Sequence, residues 1–190
     1  TPTHFTQAII ESLKEKLSVP VVYNTSGFET IDTLRKLQGK VQIYLPDFKY
    51  SDNLAAIKYS NAPDYFRITA AAIKEMHRQT GDYRIDDDGI LQSGVVIRHL
   101  ILPGLVDNSK RVIDWVAETF KPGQVLFSLM HQYIPCGDAA KYPEITRTVS
   151  KAEYKEIEAH LFASNIEDGF VQDGDAARCD FIPDFDGTGI

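Results

Sequence analysis

Val95-Val96-Ile97-Arg98-His99-Leu100-Ile101-Leu102-Pro103-Gly104 is the stretch that sets the fold class. A β-branched run leads straight into a guanidinium and an imidazole, then turns apolar again until Pro-Gly stops it. Buried parallel strands read as short, nearly continuous β-branched runs. A charge set into one is costly unless it is paired or meets a ligand. Two upstream stretches repeat the arrangement. Val19-Pro20-Val21-Val22-Tyr23 ends in Asn24-Thr25-Ser26-Gly27, and Val41-Gln42-Ile43-Tyr44-Leu45 ends in Pro46-Asp47-Phe48-Lys49. Sites in βα architectures are built where strands end at their carboxyl side. The three endings therefore point to one edge of a parallel sheet as the working face.

Helical periodicity fills the spaces between these runs. Ile9, Ile10, Leu13 and Leu17 share a face of a helix predicted over 5–17. Helices are also predicted over 28–37, 52–59, 63–80, 107–120 and 151–164, with Gly39 and Gly81 as stops. Ser150 with Glu153 three residues on is a capping-box pattern. Strands are predicted over 19–24, 41–46, 94–102 and 125–130. Asp86-Asp87-Asp88-Gly89 is a solvated turn, because it lacks the alternating ligands of a calcium loop. The residues after Gly169 read as a loop with a short strand at 181–182. This order implies a mostly parallel α/β sheet with right-handed crossovers. Four legible strands cannot close a barrel, so the sheet is either open and covered or the latter part of a larger barrel.

Composition excludes several classes. With 190 residues, 43% hydrophobic and 25% charged, the chain suits one globular domain with a real core. A formal charge of −7 argues against nucleic acid as a partner, since phosphates select a basic face. No apolar run reaches the roughly 18 residues of a membrane span. Thr1-Pro2-Thr3-His4 has neither the charged nor the apolar part of a signal peptide. Cys136 and Cys179 fit no metal spacing, and two free thiols suit a reducing cytoplasm, although the same pair is also compatible with one disulfide.

Four ordered segments carry a resemblance that covers essentially the whole chain. They are Asn24-Thr25-Ser26-Gly27-Phe28-Glu29-Thr30, Leu45-Pro46-Asp47-Phe48-Lys49-Tyr50, Ile97 to Gly104, and Ser128-Leu129-Met130-His131-Gln132-Tyr133-Ile134-Pro135, with Asp184-Phe185 near the end. Together they resemble radical S-adenosylmethionine proteins of the pyruvate formate-lyase activating enzyme type. The resemblance implies a partial (β/α) barrel of radical S-adenosylmethionine type, in which an early strand leads to a CxxxCxxC loop holding a 4Fe–4S cluster. Neither that loop nor the family's glycine-rich segment occurs in this sequence. Thr1-Pro2-Thr3-His4 resembles the residues directly after the glycine segment. Residues 1–190 are thus expected to be the C-terminal part of one barrel domain, truncated at its N-terminal strands and inactive alone.

The same resemblance implies the site. S-adenosylmethionine carries an ammonium, a carboxylate and a sulfonium, so its methionine end takes both charge signs close together. Asp47 would accept from the ammonium, and Lys49 and Arg98 would hold the carboxylate, Arg98 with its planar fork. Asn24, Thr25 and the backbone of Leu45 would border the pocket. Asn24 stands where the family carries Asp, a departure at the position that would hold a monovalent cation. His131 falls near a cofactor-contacting histidine, with Gln132 and Tyr133 as neighbouring candidates. The implied reaction is reductive cleavage to a 5′-deoxyadenosyl radical that abstracts a hydrogen atom. The implied partners are a glycyl radical enzyme or other protein substrate, and an electron donor such as flavodoxin or ferredoxin.

Each residue also has a plainer reading. Asp47 and Lys49, two apart on a strand, could form a surface salt bridge. Arg98 could pair structurally with Asp47 inside the sheet. His99 points away from Arg98 by strand alternation and reads as a packing or hydrogen-bonding residue. Asn24 to Gly27 could be a turn and helix cap. Two other functions stay open: a non-radical (β/α) enzyme using Asp47, Lys49, Arg98 and His131, and a non-catalytic subunit completing another chain's sheet.

Overall fold

The computed structural model describes residues 17–171, together with Ala8, Glu11 and Ser12, which are helical. Most of the helix predicted over 5–17, the strand at 181–182, Cys179 and Asp184-Phe185 lie outside the described residues. The chain runs β1 (Val22–Thr25), α1 (Ile31–Leu37), β2 (Ile43–Pro46), α2 (Asn53–Ser60), α3 (Tyr65–Thr80), β3 (Arg84–Ile85), β4 (Leu91–Leu100), α4 (Val106–Thr119), β5 (Leu126–Met130), α5 (Lys151–Phe162) and β6 (Gly169–Val171). Two short 3-10 turns, Gly137–Lys141 and Pro143–Ile145, lie between β5 and α5. The six strands form one sheet in the order β1-β2-β4-β5-β6, with β3 antiparallel on β4 and every other pairing parallel. The fold is α/β with a mostly parallel sheet, and a partial barrel is compatible with it.

Register assigns every strand residue to a face. Paired residues of a parallel ladder point the same way, and the direction alternates along each strand. Tyr23 pairs with Tyr44, and Tyr44 with Val95. Ile97 pairs with Phe127, and His99 with Leu129. These residues are buried, and the apolar ones form the core with Leu34, Leu37, Ile73, Met76, Val112, Ile113 and Ile157 from the helices. Each fully buried aliphatic or phenyl side chain contributes about 1.5–3 kcal/mol by leaving water. The opposite face carries Asn24 beside Leu45, and Arg98 beside both Asp47 and Ser128.

Sequence patterning located the long elements and missed two short ones. β6 falls where the sequence predicts loop; it is three residues long and pairs with β5. Too short to show alternation, it depends on Gly169, where an added Cβ would run into the backbone of Phe127. β3 is shorter still, at two residues, and the turn at 86–89 links it to β4, which therefore starts at Leu91 rather than at 94. Asp86 makes that turn by accepting from the backbone N–H groups of Asp88 and Ile90, at 3.1 and 2.8 Å. The capping box forms as expected: Ser150 Oγ accepts from the Glu153 N–H, and the Glu153 carboxylate accepts from the Ser150 N–H.

A buried carboxylate ties the sheet to two helices. Glu75 on α3 accepts a two-pronged bond from Arg78 at 2.7 Å and another from Gln79 Nε2 at 2.8 Å. Gln79 also donates to the Leu34 carbonyl of α1 and accepts from the Tyr44 hydroxyl of β2. The Arg78 fork holds the Glu75 carboxyl down at about 2, against an ordinary value of 4.5. Arg147 and the Ser150 and Gly104 amides hold Glu153 well below the carboxylate range. A depressed folded value means the stabilisation is complete above the unfolded value and fades as pH falls toward the folded one. Urea melts should show stability dropping as pH falls from about 4.5 towards about 2. Glu75→Gln is expected to cost about 1–3 kcal/mol at neutral pH and much less at pH about 2, where Glu75 is itself protonating.

Candidate functional site at the strand ends

The carboxyl ends of β1, β2 and β4 meet around one carboxylate. Asp47 lies just past β2, its N–H donating to the Thr25 carbonyl of β1 at 2.9 Å. Its Oδ1 accepts from Arg98 Nη2 at 2.6 Å, and its Oδ2 faces Lys49 Nζ at 3.3 Å. Arg98 Nη2 also donates to Asn24 Oδ1 at 2.7 Å. Arg98 Nε is buried and has no hydrogen-bond partner. The side chains of Asp47, Arg98 and Lys49 are 18%, 25% and 36% exposed, so the group is partly desolvated and still reachable. Four of the six expected site residues, Asn24, Asp47, Lys49 and Arg98, are therefore brought together by direct contacts.

The other two are placed differently. Thr25 is buried, and its hydroxyl donates to Glu29 Oε1 at 2.8 Å while accepting from the Gly27 N–H at 3.2 Å. It shapes the turn after β1 and does not join the ionic group. His131 follows β5, with its ring 4.4 Å from that of Tyr154 on α5. Its Nδ1 is buried without a partner, and no hydrogen bond links it to Asp47 or Arg98. Among the described residues no group of three or more His, Cys, Asp or Glu is close enough to hold a metal ion.

Buried polar side chains hold the site's backbone, and two of them, Tyr65 and Asn108, carry no signal in the sequence. The Tyr65 hydroxyl accepts from the Lys49 N–H at 3.1 Å and faces the carbonyls of Asp47 and Ser26 at 2.8 and 3.0 Å. Burial pushes that phenol up, which keeps its proton in place for donation. Asn108 Nδ2 donates to the Lys49 carbonyl at 2.9 Å, and its Oδ1 accepts from the Ser51 N–H at 2.7 Å. Strand alternation predicts His99 as a packing or hydrogen-bonding residue facing away from Arg98. It is fully buried between the Phe48 carbonyl and Ser109 Oγ, and burial lowers its pKa to about 4. Nothing local marks Tyr65 and Asn108, since each sits in the first turn of an amphipathic helix and meets the loop only through the fold.

No family model matches the chain. An uncharacterized protein of Methanocaldococcus jannaschii is 30% identical over 162 residues, which is 84% of this chain and 42% of that protein. The chain thus spans less than half the length of that relative. Among solved structures, a domain of pyruvate-formate lyase-activating enzyme from Bacteroides vulgatus matches with a TM-score of 0.60 at 12% identity, over 90% of this chain and 91% of that one. At that identity the likeness is one of fold. No helix among the described residues is long and apolar enough to cross a membrane.

Gly27 gives a test of how tightly the site is built. Its φ of +77° is left-handed, and an added Cβ would collide with the Asp47 carbonyl oxygen and come within 2.8 Å of the Thr69 methyl. Gly27→Ala is expected to destabilise by about 2 kcal/mol or more, from strain and overpacking together. Chemical denaturation measures it; a change within about 0.5 kcal/mol, the range of an ordinary surface substitution, contradicts the tight packing of β1's end on β2's.

Proposed function

We propose that this chain is the S-adenosylmethionine-binding part of a radical S-adenosylmethionine enzyme of the activating-enzyme type. The observation that carries the reading is Asp47 lying between Arg98 and Lys49 at the carboxyl ends of adjacent parallel strands. A carboxylate flanked by two cations is the charge pattern that an α-amino acid zwitterion matches. Asp47 would take the ammonium, and Lys49 and Arg98 the carboxylate. Arg98 Nε, a buried donor with no partner, is a group such a ligand could satisfy. Asn24 would border the ligand through its contact with Arg98, and Thr25 and His131 would act at the margins, as a turn anchor and a wall.

The residues fit the amino-acid end of S-adenosylmethionine, and they do not fit an iron–sulfur cluster. A 4Fe–4S cluster takes several cysteine thiolates. This sequence has two cysteines; Cys136 is exposed on the loop after β5, and Cys179 lies outside the described residues. In enzymes of this type the sulfonium, once reduced by a cluster, supplies a carbon-centred radical. This chain's own part in the reading is to bind, orient and shield. Residues 1–190 would form the later part of one barrel domain, with the cluster thiolates supplied from outside this sequence. A glycyl radical enzyme or other protein as hydrogen donor, a flavodoxin or ferredoxin as electron source, and a cytoplasmic setting belong to the same proposal.

Titration calorimetry with S-adenosylmethionine tests the assignment, using the protein with its natural flanking residues and iron–sulfur content restored. Asp47→Ala and Arg98→Ala are each expected to weaken binding by about tenfold or more, as loss of a charged hydrogen-bonding group does. Arg98→Lys should recover only part of the loss, because an ammonium lacks the planar fork. Absence of binding by the unaltered protein overturns the assignment, as does unchanged affinity in the two alanine variants.

A further inference from the structure

His99 lies on the face of β4 opposite Arg98, outside the ionic group, yet it touches the site's backbone. Phe48, between Asp47 and Lys49, is attached to β4 at both of its backbone groups. Its N–H donates to the Arg98 carbonyl at 2.7 Å, and its C=O lies 2.6 Å from His99 Nδ1. The Phe48 ring is buried on the same side, 5.3 Å from that of Phe66 and 5.0 Å from that of Trp115. With ring, amide and carbonyl all held, Phe48 cannot rotate without unpacking the core. The side chains on either side of it, Asp47 and Lys49, are thereby aimed at the opposite face.

The Phe48 carbonyl also decides the tautomer of the neutral His99 ring. A carbonyl only accepts, so Nδ1 carries the proton and Nε2 is the acceptor, filled by the Ser109 hydroxyl at 2.8 Å. Burial, which lowers the pKa to about 4, agrees with a neutral ring of fixed tautomer.

Resting on the S-adenosylmethionine reading above, we propose that His99 is a positioning residue: through its Nδ1–H bond to the Phe48 carbonyl it sets the spacing of Asp47 and Lys49, and with it the affinity for a zwitterionic amino-acid ligand. The bond to Ser109 holds the ring; the bond to Phe48 shapes the site.

Two substitutions separate these bonds. The Asn amide nitrogen falls near the place of Nδ1, and the Gln amide falls near the place of Nε2. His99→Asn therefore keeps the Phe48 bond and gives up Ser109, while His99→Gln does the reverse. Both lose stability, so a merely structural histidine would make them alike. Positioning predicts that His99→Asn binds S-adenosylmethionine within about threefold of the unaltered protein and His99→Gln about tenfold or more weaker, one hydrogen bond to a fixed carbonyl being worth that much. Amide hydrogen exchange at Phe48 and Lys49, read without ligand, should rise in His99→Gln and stay near the unaltered rate in His99→Asn. Equal exchange in the two variants, or an affinity order other than this one, overturns the proposal. If the unaltered protein binds no S-adenosylmethionine, the functional reading falls, and the exchange comparison still decides whether His99 clamps Phe48. Should either variant fail to fold, Ser109→Ala decides: it removes only the Nε2 partner, so affinity stays within about threefold, and a tenfold loss overturns the proposal.

Discussion

Past the end of β2 the chain leaves the ladder after one further bridge, from Asp47 to Arg98, yet its peptide groups at Asp47, Phe48, Lys49 and Ser51 still meet partners. Unpaired buried backbone groups are costly, so each must be met. Thr25 and Arg98 carbonyls take the Asp47 and Phe48 amides, the Tyr65 hydroxyl and Asn108 take the Lys49 and Ser51 amides, and His99, Tyr65 and Asn108 face the carbonyls between them. Strands β1 and β4 and helices α3 and α4 thus converge on Asp47, Phe48, Lys49 and Ser51. Irregular backbone can carry a precisely aimed side chain only if something else supplies the rigidity that a ladder would have supplied, and here buried polar side chains do so.

That constraint explains how the charges are tolerated. Arg98 stands in the middle layer of a sheet whose other face is packed with aromatic and aliphatic side chains. Its partner Asp47 is fixed within 2.6 Å by the same backbone bonds that hold the segment. A surface pair of this kind adds little to stability. Partial burial raises the worth of each contact and the cost of breaking one, which suits charges that are aimed rather than merely paired. Lys49 is the most exposed of the three.

The division of labour between the two faces follows from period-2 alternation. Tyr44, Phe48, Ile97 and His99 face the helices, and Asn24, Asp47 and Arg98 face away. A one-residue slip in β2 or β4 would exchange these sets, burying the charges and exposing the core. The register is therefore specified by the core, and the site inherits it at no further cost in sequence.

Much of this was legible in the chain itself. β-branched runs broken by Asp47, Lys49 and Arg98 marked the parallel strands and their charged carboxyl ends, because hydrophobic patterning is local. The long helices and the capping box of α5 were legible for the same reason. β3 and β6 were not, being too short to show a period; each exists because a neighbouring strand offers a free edge. The roles of Tyr65 and Asn108, and the Phe48 carbonyl as the partner of His99, were also beyond reach, since each acts on a loop distant in sequence. By itself the sequence determined which residues carry charge at which strand ends. Only the tertiary structure decided that Asn24, Asp47, Lys49 and Arg98 share one rim while Thr25 serves a turn and His131 lies against Tyr154. Chain direction beyond a strand's end depends on partners that no local pattern encodes.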